Sequence, residues 1–188
     1  MARLDRVKIV SELNRLRKPP RRDDAEKSLG VVWLRDMLFH LSDPEDRYFV
    51  YHTLGVELRI LGDVAGALEC GRIRLAEFGD IVSRGVFARA LLDLDRHLDA
   101  IEEFKKAFHL AAESGELINY TFGELMRAAV SVVDVETIDS VSQEFLALKL
   151  GKSTDDCQLE MDWMDAAEAL GVRPELINEL RHRAGGNS

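Results

Sequence analysis
The side chains able to do chemistry are spread thinly along this 188-residue chain. Its five histidines are His40, His52, His97, His109 and His182, and none has a second histidine one helical turn away. A zinc site needs several ligands converging tetrahedrally, so the histidine pattern predicts no metal. Asp93, Asp95 and Asp99 surround His97, but they straddle a predicted turn and read as a solvated acidic corner. The two cysteines, Cys70 and Cys157, lie far apart and form no CxxC. They read as packed or free thiols of a reducing compartment, without a partner that would lower either pKa. No GxGxxG or GxxxxGKS/T segment offers a phosphate cradle. The residues predict no catalytic group, no metal and no cofactor, in a protein that is not an enzyme.

The charge distribution narrows the partners. The net charge is -9, yet residues 1–22 carry eight Lys/Arg against Asp5 and Glu12, which leaves -15 on the remainder. An acidic body argues against nucleic acid, where contacts to phosphate dominate affinity. The basic N-terminal segment is the exception. It has three readings: a folded cap whose charges meet the acidic body, a self-association element, or a contact to nucleic acid or another acidic partner. No run of about 18 apolar residues predicts a membrane span. The opening MARLDRVKIVSELNRL places charges where a signal peptide needs an apolar core. A cytoplasmic location is the expectation.

The elements that must position these residues are helices. Residues 3–17 bring Leu4, Val7, Val10, Leu13 and Leu16 to one side, and Pro19-Pro20 ends that pattern. Residues 1–22 therefore read as a basic helix and linker. A helix over 24–41, capped by Asp23 or Asp24, is apolar on two sides. Leu29, Trp33 and Met37 form one side, and Val31, Leu34, Leu38 and Leu41 the other. Such a helix should be buried between neighbours. Asp43-Pro44-Glu45-Asp46 is a strong helix start, and Gly62 is the stop. Helices then pair across short turns: one ending near 61 with 64–78, 81–94 with 97–114, and 117–133 with 135–149. Gly55 and Ala67 are the small residues that let the first pair close tightly. Leu94 and Val133 fall on the apolar faces of their helices. A further helix from Thr154 or Asp155 to Leu170 carries Cys157, Met161, Met164 and Ala167, and Pro174 opens a last one with Leu176, Ile177 and Leu180. Residues 185–188 read as a disordered tail.

The pairs repeat. Ala67 and Ala100 lie 33 residues apart, each preceded by an apolar-small pair (Leu54-Gly55; Phe87-Ala88), a leucine (Leu58; Leu91) and a turn (Gly62-Asp63; Asp95-Arg96). Leu68 and Ile101 follow the small residue, and the second unit adds Phe104 and Ala107, where the first has Gly71 and Arg74. This order resembles the tetratricopeptide repeat (TPR), a helix–turn–helix unit of about 34 residues. The match is close over about residues 48–110 and weaker to 150, where Ile138 replaces the small residue. The resemblance implies an all-α, TPR-like right-handed solenoid of stacked antiparallel helix hairpins over residues 23–184, with capping helices at the ends.

In the resembled family the first helices of successive hairpins line a concave groove that holds a partner peptide. Carried over, the groove side includes Phe49, His52, Val56, Arg59 and Ile60, then Val82, Gly85, Arg89 and Asp93, then Tyr120, Gly123, Glu124, Arg127 and Val130. The partner-binding residues singled out are His52, Val56, Arg59, Arg89, Tyr120 and Arg127. Arg89 and Arg127 fall at matching places, with Arg59 one turn along. Guanidinium forks bind carboxylates bidentately, so the implied partner is an acidic or carboxylate-bearing protein or peptide. The competing reading pairs each arginine with an Asp or Glu of its own stack. The family's chaperone-type carboxylate clamp is absent, because its lysine and asparagine places hold other residues. Two further functions stay open. One is an acidic inhibitor or immunity-type protein masking a basic partner through outer acids such as Asp155, Asp156, Glu160 and Asp162. The other is a regulatory subunit of a larger complex. A homodimer is a further option.

Overall fold
A computed structural model of the chain describes residues 7–9, 11, 24–148 and 162–185. Among the described residues all regular structure is helical. The chain divides into two compact units, Met1–Gly79 and Asp80–Ser188.

In the first unit, α1 (Asp24–His40) packs on α2 (Pro44–Ile60), which pairs with α3 (Val64–Phe78). Asp43 caps α2 by accepting from the Glu45 and Asp46 amides at 2.8 and 3.3 Å, and Pro44 fills the first turn. The core gathers Ile9, Val31, Leu34, Val50, Leu54, Leu58, Ala67 and Cys70. The N-terminal segment thus enters this core through Ile9, while Val7 is exposed. Leu4, Val10, Leu13, Leu16, Pro19, Pro20 and Asp23 lie outside the described residues.

Two expectations for this unit are corrected. The α1 helix is not buried on both sides: Val31 and Leu34 are inside, but Leu29 is 66% and Trp33 38% exposed. Among the described residues, α2 packs on one face of α1, where Val31 and Leu34 lie. Gly55 is also not a steric necessity, because a Cβ there would sit 3.9 Å from the Cys70 Cβ, an ordinary contact.

The second unit runs through α4 (Ile81–Leu92), α5 (His97–Ser114), α6 (Ile118–Ser131), α7 (Val135–Ala147), α8 (Met164–Ala169) and α9 (Pro174–Gly185). The helices α4, α5 and α6 each pack on the next, and α9 packs on α7 and α8. The centre of this unit is aromatic. Phe122 stacks on Phe145 at 4.0 Å between centroids and meets the edge of Trp163 at 5.7 Å and Phe108 at 6.0 Å. Aromatic pairs of this kind add about 0.5–1.5 kcal/mol beyond their buried area. Arg183 closes the end of α7 by donating to the carbonyls of Phe145 and Leu148 at 2.6 and 2.8 Å. It thereby satisfies acceptors that a helix terminus leaves open. The last helix runs through Gly185; residues 186–188, Thr154, Asp155, Cys157 and Met161 lie outside the described residues.

Four turns share one geometry. A residue in the left-handed region ends the first helix of each pair: Gly62 (φ 76°), Asp95 (57°), Val133 (61°) and Gly171 (87°). The next amide reaches back five residues, from Asp63 to Leu58, Arg96 to Leu91, Asp134 to Ala129 and Val172 to Ala167, at 2.9–3.2 Å. This is a Schellman closure. Leu94 and Val133 therefore sit in turns, 38% and 60% exposed, rather than on helix faces. Glycine takes this backbone freely, whereas a β-branched valine pays for it.

Candidate functional site
The predicted site residues separate by unit. On α2, His52 does not face outward. Its Nδ1 lies 2.8 Å from Nη1 of Arg74, whose guanidinium sits 3.9 Å over the Tyr48 ring and whose side chain is 1% exposed. A guanidinium stays protonated and only donates, so Nδ1 is the acceptor and the ring proton is on Nε2. His52 is occupied in holding a buried cation. Two of that cation's nitrogens, Nε and Nη2, are buried without a hydrogen-bond partner among the described residues. Val56 is half-buried and Arg59 is exposed.

In the second unit, Arg89, Tyr120 and Arg127 are brought together by a row of ion pairs. Arg89 donates from Nε to Glu124 Oε2 at 2.7 Å. Arg127 donates from Nη1 to Glu124 Oε1 at 2.9 Å. The Nε of Arg127 reaches Asp162, at 3.1 and 3.0 Å to its two oxygens. Arg89 also lies 5.5 Å from the Tyr120 ring centroid. Counted from the left-handed turn residues, both arginines are six positions before Asp95 and Val133, and both acids nine before Val133 and Gly171. Each arginine thus reaches a carboxylate 35 residues on, one hairpin further.

The electrostatics follow the geometry. The hydrogen bond from Arg127 holds the Asp162 carboxyl below its ordinary value. Glu124 raises the Arg89 guanidinium, and burial pushes the Tyr120 phenol up. Burial also pushes the Cys70 thiol up to about 11, the behaviour of an unreactive core cysteine. Among the described residues no group of three or more His, Cys, Asp or Glu is placed to hold a metal ion. Asp95 stands exposed, 3.7 Å from the His97 ring.

Two relationships were not visible in the sequence pattern. Asp162, read as an outer acid, is the partner of Arg127. Arg74 occupies a place where the next hairpin carries the buried Ala107, and its guanidinium is held by His52 and Tyr48. The signal available for Arg74 was a charged residue at a small-residue position.

No protein-family model matches the chain, and no curated protein matches it. A solved structure does. It is a crystal structure of nearly identical TPR-like repeats from a Podosopora anserina protein bearing a kinesin light chain name. The superposition has a TM-score of 0.65 and spans 94% of this chain and 91% of the other, at 15% sequence identity. The fold is TPR-like. At that identity the likeness speaks for the TPR-like architecture and not for a partner. Within it, the paired arginines of α4 and α6 lie on the first helices of successive TPR-like hairpins. No helix described is long and apolar enough to cross a membrane.

Proposed function
We propose that the chain is a non-catalytic scaffold that binds a carboxylate-bearing protein or peptide through the first helices of its hairpins. Arg89, Tyr120 and Arg127, on α4 and α6 of the second unit, are the central contacts. His52 acts indirectly, by holding Arg74. A soluble, cytoplasmic setting suits such a scaffold.

The observation that carries this reading is the Arg89–Glu124–Arg127–Asp162 row. Its arginines are held in place yet keep 36% and 29% of their side chains exposed. A free arginine side chain loses about 2 kcal/mol of rotamer entropy when it is fixed. Here the internal acids have already fixed it, so a partner binds a preorganised donor. The row is also balanced in charge, two cations against two anions. Recognition then rests on fork geometry rather than on net charge, and its salt dependence should be shallow. An acidic mask for a basic partner would show a steep one.

Display of random peptides with free carboxyl termini on the full chain tests this. Enrichment of peptides that lose binding to an Arg89→Gln variant supports it. Enrichment of basic peptides indifferent to Arg89, or no enrichment, contradicts it.

A further inference from the structure
We propose that Gly85 and Gly123 decide which carboxylate the arginine row of the second unit accepts: one borne on a partner's main chain, at a chain terminus, in preference to one on an Asp or Glu side chain. The inference rests on the reading of that row as a binding site. The helices α4 and α6 carry glycine and arginine in one register. Counted back from the left-handed residues Asp95 and Val133, Arg89 and Arg127 stand at position six and Gly85 and Gly123 at position ten. Each glycine thus precedes its arginine by four residues, one turn away on the same helix face.

The fold itself does not call for either glycine. Both lie inside helices, where glycine is less favourable than alanine, and neither has a positive φ. A Cβ on Gly85 would meet nothing within 4 Å. On Gly123 it would meet Nη1 of Arg127 at 3.9 Å, an ordinary contact. Although α4 and α6 touch, among the described residues no side chain of a neighbouring helix comes within 4 Å of either missing Cβ. Each glycine therefore leaves a notch in its helix wall, and the notch at Gly123 borders the Arg127 guanidinium.

The two sources of carboxylate differ in where they bring the main chain. An Asp or Glu carboxylate stands off its backbone on one or two methylenes, so that backbone can stay clear of the helix walls. A terminal carboxylate is bonded directly to the last Cα. Pairing it with the arginine forks brings that Cα and its substituents down to the helix surface, where a Cβ one turn away is an obstacle. Glycine is the residue that permits so close an approach. Glu124 shows the other case within the chain. Its side-chain carboxylate accepts from Arg89 at 2.7 Å and from Arg127 at 2.9 Å, and leaves the notch at Gly85 empty.

Calorimetric titration of the full chain with two forms of one display-selected peptide is the test. One form ends in alanine with a free carboxyl group. The other ends in aspartate amide, so that the same single charge sits on a side chain, and neither form has another acid. Wild type should bind the free-acid form about tenfold or more tightly. Gly85→Ala and Gly123→Ala should each weaken that form about tenfold, as one added carbon does in a fitted site, and leave the aspartate-amide form unchanged. Gly85→Ala should meanwhile raise the urea midpoint, which separates lost binding from lost folding. Arg89→Gln should weaken both forms. Equal affinity of the two forms for wild type, or alanine variants that keep the wild-type preference, overturns the role of the glycines; if Arg89 is still needed, the binding row itself stands. Binding of both forms that is indifferent to Arg89→Gln overturns the row and this inference with it.

Discussion

Arg127 grips Asp162, 35 residues further along the chain, with its Nε 3.0–3.1 Å from both carboxylate oxygens. Arg89 makes the same one-hairpin reach to Glu124. The two links differ in burial: the Asp162 side chain is 64% exposed and that of Glu124 14%. A double-mutant cycle with Arg127→Met and Asp162→Asn should give a coupling below about 1 kcal/mol, as exposed pairs do. The cycle with Arg89→Met and Glu124→Gln should give more, about 1–2 kcal/mol, because Glu124 is left more deeply desolvated when a partner goes. Urea unfolding measures both.

The shared turn predicts opposite outcomes for glycine and valine. Val133→Gly should stabilise by about 1 kcal/mol, since a β-branched residue in the left-handed region carries roughly 1–2 kcal/mol of strain. Gly62→Val should destabilise by a similar amount, given φ of 76° at Gly62. Gly85 offers a separate test. A Cβ there meets nothing within 4 Å, so Gly85→Ala should gain about 0.5–1 kcal/mol from helix propensity. Midpoints of urea denaturation at constant slope report each change.

The buried Arg74 predicts an asymmetry. Arg74→Met removes a cation that has two unsatisfied nitrogens, and should cost less than about 1 kcal/mol. His52→Leu takes away the acceptor and leaves the charge, and should cost about 2–3 kcal/mol. Equal losses in the two variants would contradict this account of the first unit's interior.

How much of this was legible from residues alone is uneven. Helix starts and stops were readable because the signals are local: Asp43 with Pro44 opens α2, and Gly62 closes it. The repeat could be counted from Ala67 to Ala100. The turn at Val133 hid, because nothing in a valine's chemistry announces a left-handed backbone; the position was fixed by the fold, not by propensity. The partners of Arg89 and Arg127 hid for another reason. They lie one hairpin away, and which of many acids faces an arginine depends on how successive hairpins stack. The exposed side of α1 could not be told from a buried one, since an apolar stripe has the same spacing whether its partner is in the chain or outside it.

Acid should loosen these links in a definite direction. The Asp162 and Glu77 carboxyls are both lowered, chiefly by hydrogen bonds from Arg127 and Arg47. Groups with depressed folded values contribute stability that is complete above the unfolded carboxylate range, about pH 4–4.5. That contribution is lost as pH falls through the lower folded values. Thermal midpoints should therefore hold from about pH 7 to pH 5 and fall below about pH 4, with only a modest share from Asp162, whose side chain is 64% exposed. Asp162→Asn should flatten part of that fall.

The central claim is that the hairpins' first helices bind a partner's carboxylate through Arg89 and its neighbours. The most direct measurement is calorimetric titration of one display-selected peptide, in free-acid and amidated forms, into the wild-type chain and into Arg89→Gln. Wild type should prefer the free acid by about tenfold or more, as a charge-assisted fork contributes about 1.5–3 kcal/mol. The Arg89→Gln variant should lose that preference while staying folded. Equal affinity of both peptide forms for wild type, or a preference that survives without Arg89, would contradict the account.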